Sequence, residues 1–286
     1  MTTALRPRSV TELFDAAFQI LRAHAGALLV LAAVAALPLM IAGLVAAAVM
    51  PTPEALAGGV SAGAGAAAFA SLLTFPAWLW FSMASSAIVI AGARGYRGDA
   101  VDARDCLRAA VPRFGAVFAA NFLKGMLLGI VFVVSFFVAV IVGRGIPVLG
   151  VLVGTGGLAG GIFLALQLYP VAAIATLETV DASMAFRRSA TLTRGAKGRI
   201  LGLYVISFVL MVAVYFVFAM LALPLRGLTP GVAAAVGALW YVGYALFGVM
   251  QGLLYIDLRV RNEGYDIELL AQELGGAVDG ALPQRG

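Results

Sequence analysis

Six apolar segments divide the chain, and each is long enough to cross a lipid bilayer as an α-helix. They span residues 26–50, 69–93, 115–142, 148–177, 200–223 and 232–256. A membrane helix needs about 20 apolar residues. The composition agrees, because only 12% of the residues are charged, whereas an ordinary soluble domain has about 25%. We therefore predict an all-α, polytopic membrane protein with six transmembrane helices.

Three short amphipathic helices are predicted, one before each pair of apolar segments. Their N-caps are Ser9, Asp102 and Asp181, and Glu12 completes a capping-box pattern with Ser9. Apolar residues follow each cap at the spacing of one helix face. The expected architecture is three membrane hairpins, each preceded by an interfacial helix on the cytoplasmic side. The shared spacing fits an internal repeat, and it equally fits three unrelated amphipathic helices.

Lysine and arginine residues are distributed very unevenly around the apolar segments. Sixteen of them lie in residues 1–25, 94–113, 187–199 and 257–286. The connections on the opposite side carry only Arg144 and Arg226. Because positive residues concentrate on the cytoplasmic side of membrane proteins, this asymmetry predicts that both termini are cytoplasmic.

The domain organisation follows from the same segments. Residues 1–274 are expected to form a single six-helix membrane domain. Residues 275–286 are rich in glycine and proline and are expected to be a disordered tail. The glycine- and alanine-rich segment 51–68, which joins the first two apolar segments, is expected to be flexible.

Prolines and glycines within the apolar segments suggest where helices break or approach one another. Proline removes a helical hydrogen bond and kinks or breaks a helix, which we expect at Pro38, Pro76 and Pro170. Small residues four apart permit close contact between membrane helices. Such pairs are Gly150/Gly154, Gly156/Gly160 and Gly157/Gly161.

The basic residues between apolar segments are the candidate binding residues for anionic lipids or a protein partner. They are Arg104, Arg108, Arg187, Arg188, Arg194, Lys197 and Arg199. Near an anionic membrane surface each such residue contributes about 1 kcal/mol. A nucleic-acid partner is not expected, because the net charge of +5 arises at positions that determine membrane topology.

Five polar residues within or at the ends of the apolar segments form a second candidate group. They are Asn121, Lys124, Gln167, Glu178 and Asp257. Ionisable residues inside a membrane are functional candidates by default. The structural alternatives are a snorkelling side chain for Lys124, an ion pair with a nearby basic residue for Glu178 and Asp257, and interhelical hydrogen bonds for Asn121 and Gln167.

Catalytic and metal-binding chemistry has little support in the sequence. His24 is the only histidine and Cys106 the only cysteine, which excludes a multi-histidine metal site and an intrachain disulfide. No nucleotide-binding, serine-hydrolase or metalloprotease motif occurs. We therefore expect neither an enzyme nor a bound cofactor.

Two stretches carry a family resemblance. The first holds Glu178, then Ala185-Phe186-Arg187-Arg188-Ser189 and Leu192-Thr193-Arg194-Gly195, and the second reads LYIDLRVRNEGYD over residues 254–266. They resemble the E…ALRRSW.L.RG and LYYDLRVRKEGYD signatures of bacterial glycerophosphoryl diester phosphodiesterase membrane domains. The opening VTELFDAAF over residues 10–18 is similar to the usual start of that family. The sequence departs from the pattern at Ala190 and Ile256, where tryptophan and tyrosine are usual.

The resemblance implies a stand-alone membrane domain of the bacterial inner membrane. In the members that gave the family its name, this region precedes a soluble phosphodiesterase domain, whose metal and acid–base groups are not expected here. We therefore expect a non-enzymatic protein that uses its basic cytoplasmic helices for scaffolding or for binding anionic lipids or partner proteins. The alternative is a small transporter with a cavity between proline-broken helices. A membrane-embedded enzyme is a third hypothesis.

Overall fold

The computed structural model describes residues 7–49, 60–222, 229–267 and 271, and every regular element in these ranges is a helix. The helices are α1 (Val10–Ala23), α2 (Ala25–Val49), α3 (Val60–Arg97), α4 (Ala103–Ala110), α5 (Phe114–Gly145), α6 (Pro147–Gln167), α7 (Val171–Leu177), α8 (Ala182–Leu192), α9 (Lys197–Ala222) and α10 (Thr229–Glu263). A 3₁₀ turn, Val111–Arg113, joins α4 to α5.

The three short amphipathic helices begin where the sequence predicts. The Ser9 hydroxyl accepts a hydrogen bond from the backbone amide of Glu12 at 3.2 Å, and the Glu12 carboxylate accepts one from the Ser9 amide at 2.7 Å. The carboxylates of Asp102 and Asp181 each accept a bond from the amide three residues on, at 3.0 and 2.9 Å. These caps satisfy amides that have no partner within the first helical turn. All three predicted N-caps are confirmed.

The predicted apolar faces of the short helices pack into the protein. Leu13 and Ala17 of α1, Cys106 of α4 and Ala185 of α8 are fully buried, whereas Phe18 at the edge of the α1 face stays exposed. Helix α1 contacts both α3 and α10, and α4 contacts α3. The short helices are therefore part of the same hydrophobic core as the long ones.

Several long helices have the properties of membrane spans. Four helical stretches are long and apolar enough to cross a membrane, namely Ala25–Ala42, Ala103–Gly145, Pro147–Leu177 and Lys197–Val217. Helices α3 and α10 coincide with the second and sixth apolar segments of the sequence. The prediction of an all-helical protein is confirmed for the described residues, and four stretches are long and apolar enough to be membrane spans.

Two of the three prolines lie within helices, and the third precedes one. Helices α2 and α3 continue through Pro38 and Pro76, so the expectation of a break at these two residues is wrong. These helices pack along each other, and such packing can hold a helix together across the hydrogen bond that proline removes. The chain does leave the helix before Pro170, which occupies the N-cap position of α7, where its missing N–H costs nothing.

The connection between the first two long helices is shorter than expected. Residues 60–68 are the first turns of α3, so the expectation of a flexible segment is wrong for this part. The run is rich in alanine, the residue most favourable to a helix. Residues 51–59 and the predicted disordered tail at 275–286 lie outside the described residues.

Glycines let α5 and α6 pack closely. A Cβ atom added to Gly150 would lie 2.5 Å from the backbone of α5, and one added to Gly157 would collide with the Ser135 side chain. The close contact predicted for Gly150/Gly154 and Gly157/Gly161 is confirmed. The prediction is wrong for Gly156 and Gly160, which have nothing within 4 Å, because they lie on the opposite face of α6.

A second close crossing joins α3 to α10 and was not predicted. A Cβ atom on Gly92 would lie 2.7 Å from the Val249 Cα atom, and one on Gly252 would lie 2.8 Å from the Val89 carbonyl oxygen. The two backbones are therefore nearly in contact. This crossing sets the ends of α3 and α10 beside each other, where the candidate site is formed.

Candidate functional site

The basic segments of the chain meet at one end of the helix bundle. The C-terminal ends of α3 and α10, helix α7 and the short helices α1, α4 and α8 pack there around one hydrophobic core. Arginines from each of the predicted cytoplasmic segments lie in these elements. Charged residues that are far apart in the sequence therefore become neighbours, and they form two ion-pair groups and one cavity.

The first ion-pair group surrounds Asp257 of α10, whose side chain is 0% exposed. Its carboxylate accepts bonds from the guanidinium groups of Arg199 and Arg261 at 3.0 Å each, and from the backbone amide of Arg8 at 3.0 Å. A buried carboxylate is costly unless it is paired and hydrogen-bonded. Asp257 thus ties α10 to α9 and to the segment that precedes α1.

The segment before α1 is held by further contacts with the same group. The carbonyl oxygen of Arg8 accepts bonds from Arg199 and, at 2.8 Å, from Arg261. The Arg8 guanidinium lies 4.9 Å from the centroid of the Tyr96 ring, within the range of a cation–π interaction. The N-terminal segment is thereby attached to α3, α9 and α10 together.

The second ion-pair group is centred on Arg188 of α8. Its Nε atom lies 3.0 Å from both carboxylate oxygens of Glu178, and its two terminal nitrogens bond the carboxylate of Glu263, one of them at 2.7 Å. Arg259 bonds Glu263 at 3.0 Å and the Tyr255 hydroxyl donates to Glu178 at 3.0 Å. The two stretches that carry the family resemblance therefore bind each other directly.

Hydrogen bonding favours the charged forms of Glu263 and Arg188 in the second group. Burial by itself would raise the pKa of Glu263, but the bonds from Arg188 and Arg259 outweigh it and hold that pKa below its ordinary value. The bond to Glu263 raises the pKa of Arg188 above its ordinary value, burial opposes this, and the bond to Glu178 reinforces it. The group is thus a stable electrostatic connection between α8 and α10.

The predicted basic residues lie in three different environments in the structure. Four of them are exposed, namely Arg104, Arg108, Arg187 and Arg194. Arg188 and Arg199 make the internal ion pairs described above. Lys197 places its Nζ atom 3.5 Å from the centroid of the Phe163 ring. The structure therefore leaves the four exposed arginines as the accessible part of this set.

The predicted polar residues are not brought together in one place. Asn121 of α5 donates to the Ser82 hydroxyl of α3 at 3.1 Å, and the backbone carbonyl of Gln167 accepts a bond from the Ser189 hydroxyl. Lys124 is half-buried on α5. Glu178 and Asp257 belong to different ion-pair groups. Together these residues do not form a common pocket.

A cavity of about 210 Å³ lies between α3, α4, α7 and α10. Four arginines and two tyrosines line it, namely Arg94, Arg97, Arg113, Arg259, Tyr255 and Tyr265. None of the described residues that line it is acidic. We call it the arginine cavity. Its four arginines were missing from the candidate residues. The density of arginine over residues 94–113 was the sequence signal for three of them, and the stretch over residues 254–266 contains the fourth, Arg259.

Two arginines of the arginine cavity have no carboxylate partner. Arg113 donates to the Thr176 carbonyl oxygen at 2.7 Å, and Arg94 approaches the Cys106 Sγ atom at 3.9 Å. Among the residues that the structure describes, no carboxylate lies within ion-pair distance of either one. Their charges also repel each other. The cavity therefore holds positive charge that no described residue neutralises by an ion pair.

No protein-family model matches the chain, and neither the curated proteins nor the solved structures contain a match. The resemblance to glycerophosphoryl diester phosphodiesterase membrane domains therefore rests on the sequence stretches alone.

A second cavity, of about 160 Å³, lies between α1 and the end of α3. His24, Gln19 and Tyr96 line it together with Arg8. In the described part of the chain, no three histidine, cysteine, aspartate or glutamate residues come together as metal ligands. The arginine cavity is therefore the more distinctive chemical feature of the structure.

Proposed function

We propose that the chain is a non-enzymatic protein of the bacterial inner membrane that binds anionic lipid headgroups through its basic cytoplasmic end, with scaffolding of a partner protein as a related role. The proposal includes six spans arranged as three hairpins, both termini in the cytoplasm, and kinship with the glycerophosphoryl diester phosphodiesterase membrane domains. Contacts between α2 and α3, between α5 and α6, and between α9 and α10 support the hairpins.

One observation carries this proposal. Arg104, Arg108, Arg187 and Arg194 are exposed at the end of the bundle where Glu178, Asp257 and Glu263 are already engaged by other arginines. Among the described residues, three of these arginines have no carboxylate within ion-pair distance, and Arg108 lies 4.0 Å from the exposed Asp105. At about 1 kcal/mol for each residue near an anionic surface, four exposed arginines are sufficient for a clear preference for anionic lipids.

Native mass spectrometry of the protein extracted from membranes tests the proposal. We expect the wild type to retain anionic lipids in preference to zwitterionic ones, and we expect R187Q/R194Q to lose at least tenfold of that retention. The control is R144Q, which removes a charge from the opposite side of the predicted topology and should leave retention unchanged. Equal retention of anionic and zwitterionic lipids by the wild type would contradict lipid binding. A protein retained in stoichiometric amount would favour the scaffold.

The alternative function is a small transporter. The observation in its favour is the helix interruption between Gln167 and Val171, which the fold places beside the buried Ser189. Interrupted membrane helices often border the binding site of a transporter. A solute flux into proteoliposomes that is lost in P170A, with lipid retention unchanged, would favour this function over the first.

A further inference from the structure

The arginine cavity is built from parts that hold its guanidinium groups in place. The Arg113 group is anchored by the Thr176 carbonyl at 2.7 Å, and the Arg259 group bonds Glu263 at 3.0 Å. Arg97 bonds Asp99, also at 3.0 Å. Groups that are ordered before binding lose less conformational entropy when a ligand arrives. The cavity is therefore preorganised for a ligand.

The charge balance of the cavity determines the sign of that ligand. Arg97 and Arg259 each have a carboxylate partner, whereas Arg94 and Arg113 have none among the described residues. An anion between these two groups would replace their mutual repulsion with attraction on both sides. Guanidinium groups bind phosphate through two parallel hydrogen bonds, which makes arginine the preferred residue for phosphate recognition.

The size and walls of the cavity narrow the class of anion. A volume of about 210 Å³ is smaller than the roughly 300–1,000 Å³ of a site for a drug-sized ligand. Ile90, Leu177 and Ile256 provide an apolar wall beside the arginines, and the ring of Tyr265 lies against Arg259 at 4.0 Å. A single phosphate group with a short apolar ester chain matches this combination.

We propose that the arginine cavity is a binding site for a phosphate group, carried either by a lipid headgroup or by a soluble phosphate ester, with Arg94 and Arg113 as its principal ligands. The inference rests on the proposed function in that it assumes an anionic ligand at this end of the protein. It goes further in naming the group that is recognised and in placing it in a cavity that the four exposed arginines do not line.

The test measures binding of two probes to the full chain in a neutral detergent. The probes are inorganic phosphate and dihexanoyl phosphatidic acid, which is soluble as a monomer, and isothermal titration calorimetry reports the affinities. We expect R94Q/R113Q to weaken binding at least tenfold. The matched control is R22Q/R144Q, which removes the same charge from two exposed arginines outside the cavity and outside the proposed lipid-binding set, and it should change the affinity less than twofold.

A second variant keeps the test decisive if R94Q/R113Q does not fold. Ala109 lines the cavity, so A109F should fill part of it without removing any charge and should weaken binding at least tenfold. Phosphatidic acid that binds at least tenfold more tightly than inorganic phosphate identifies a lipid headgroup as the source. Equal affinities show that the phosphate group alone is recognised, which favours a soluble phosphate as the source, and both results support the site.

Two outcomes would overturn the inference. The first is that neither probe binds the wild type at millimolar concentration. The second is that R94Q/R113Q and R22Q/R144Q weaken binding equally, which would mean that general surface charge attracts the probes. In either case the lipid retention measured by mass spectrometry can still be observed. An incorrect proposal for the cavity is therefore distinguishable from an incorrect proposed function.

Discussion

Asp257 shows how a single residue can join three parts of this chain. Its carboxylate is fully buried and is bonded by Arg199, by Arg261 and by the backbone amide of Arg8. The Arg199 side chain is only 16% exposed, whereas that of Arg261 is 37% exposed. Loss of the carboxylate would therefore leave one guanidinium group buried without its counter-charge, while the other could turn to solvent.

We expect D257N to destabilise the protein by about 3–5 kcal/mol, the usual effect of breaking a buried ion pair by removing one partner. Thermal unfolding in detergent measures the loss. R261Q should destabilise much less, because Arg261 is the more exposed partner. The double variant R199M/D257L should recover much of the stability, since apolar residues of similar size can replace a buried pair. Unchanged unfolding of D257N would contradict this account.

Glu263 makes the stability of the α8–α10 contact depend on pH. Bonds from Arg188 and Arg259 hold its pKa below the ordinary value. A carboxyl group whose pKa is lower in the folded protein stabilises the fold fully above its unfolded pKa, about 4.3 for glutamate. That contribution disappears as the pH falls through the folded pKa.

The stability difference between wild type and E263Q should therefore be constant from about pH 7 to about pH 5 and should shrink at lower pH. Thermal unfolding measured across this range provides the comparison. The control is E12Q, which alters a carboxylate of the α1 capping box rather than the α8–α10 contact. A difference between wild type and E263Q that grows on acidification would have the wrong sign.

At the scale of helices, glycines decide which long helices pack tightly. Gly150 and Gly157 face α5, whereas Gly156 and Gly160 of the same helix face open space. Gly92 and Gly252 likewise allow close packing where α3 and α10 cross. Two neighbouring glycines in α6 thus have opposite roles, and this makes them a sensitive test of the helix packing.

We expect G157A to lower the unfolding temperature, because its new methyl group collides with Ser135 and overpacking costs about 1–3 kcal/mol. The matched control is G156A, which adds the same methyl group on the open face. It should be neutral or stabilising by up to about 1 kcal/mol, the difference in helix propensity. Equal effects of the two substitutions would show that α5 does not pack on this face of α6.

At the scale of the whole molecule, the ion-pair groups lie at one end, and the described surface of α5 and α6 is largely apolar. Both ion-pair groups and the arginine cavity lie at the basic end. Helices α5 and α6 leave large apolar residues exposed along much of their length, including Phe136, Ile141 and Val148. Extensive exposed apolar surface marks a membrane or protein contact, which fits an orientation with the basic end at the cytoplasmic surface.

Cysteine labelling with a membrane-impermeant maleimide tests this orientation. Cys106 is fully buried, so it is a poor reporter, and the background for labelling is C106A. Ser183 and Ile146 are both exposed and lie on opposite sides of the predicted membrane. We expect S183C to react only from the cytoplasmic side and I146C only from the outside. The reverse pattern would place both termini outside the cytoplasm.

Local features of this protein could be predicted from the sequence alone. The helix caps at Ser9, Asp102 and Asp181 were correct because a cap depends on residues within one helical turn. Four of the six apolar segments correspond to helical stretches that are long and apolar enough to cross a membrane, because burial in lipid requires a continuous apolar stretch. Gly150 and Gly157 were recognised because small residues four apart permit close contact between membrane helices, although the sequence did not distinguish them from Gly156.

Tertiary structure alone decided which charges that are distant in the sequence meet. The Arg8 amide bonds the Asp257 carboxylate across 249 positions of sequence, and Arg188 bonds Glu263 across 75. The sequence marks each of these residues as basic or acidic near a membrane surface, and nothing local distinguishes a paired arginine from an exposed one. The arginine cavity exists only because the close crossing of α3 and α10 brings Arg94 and Arg259 to one place, and a contact of that kind depends on backbone geometry rather than on local pattern.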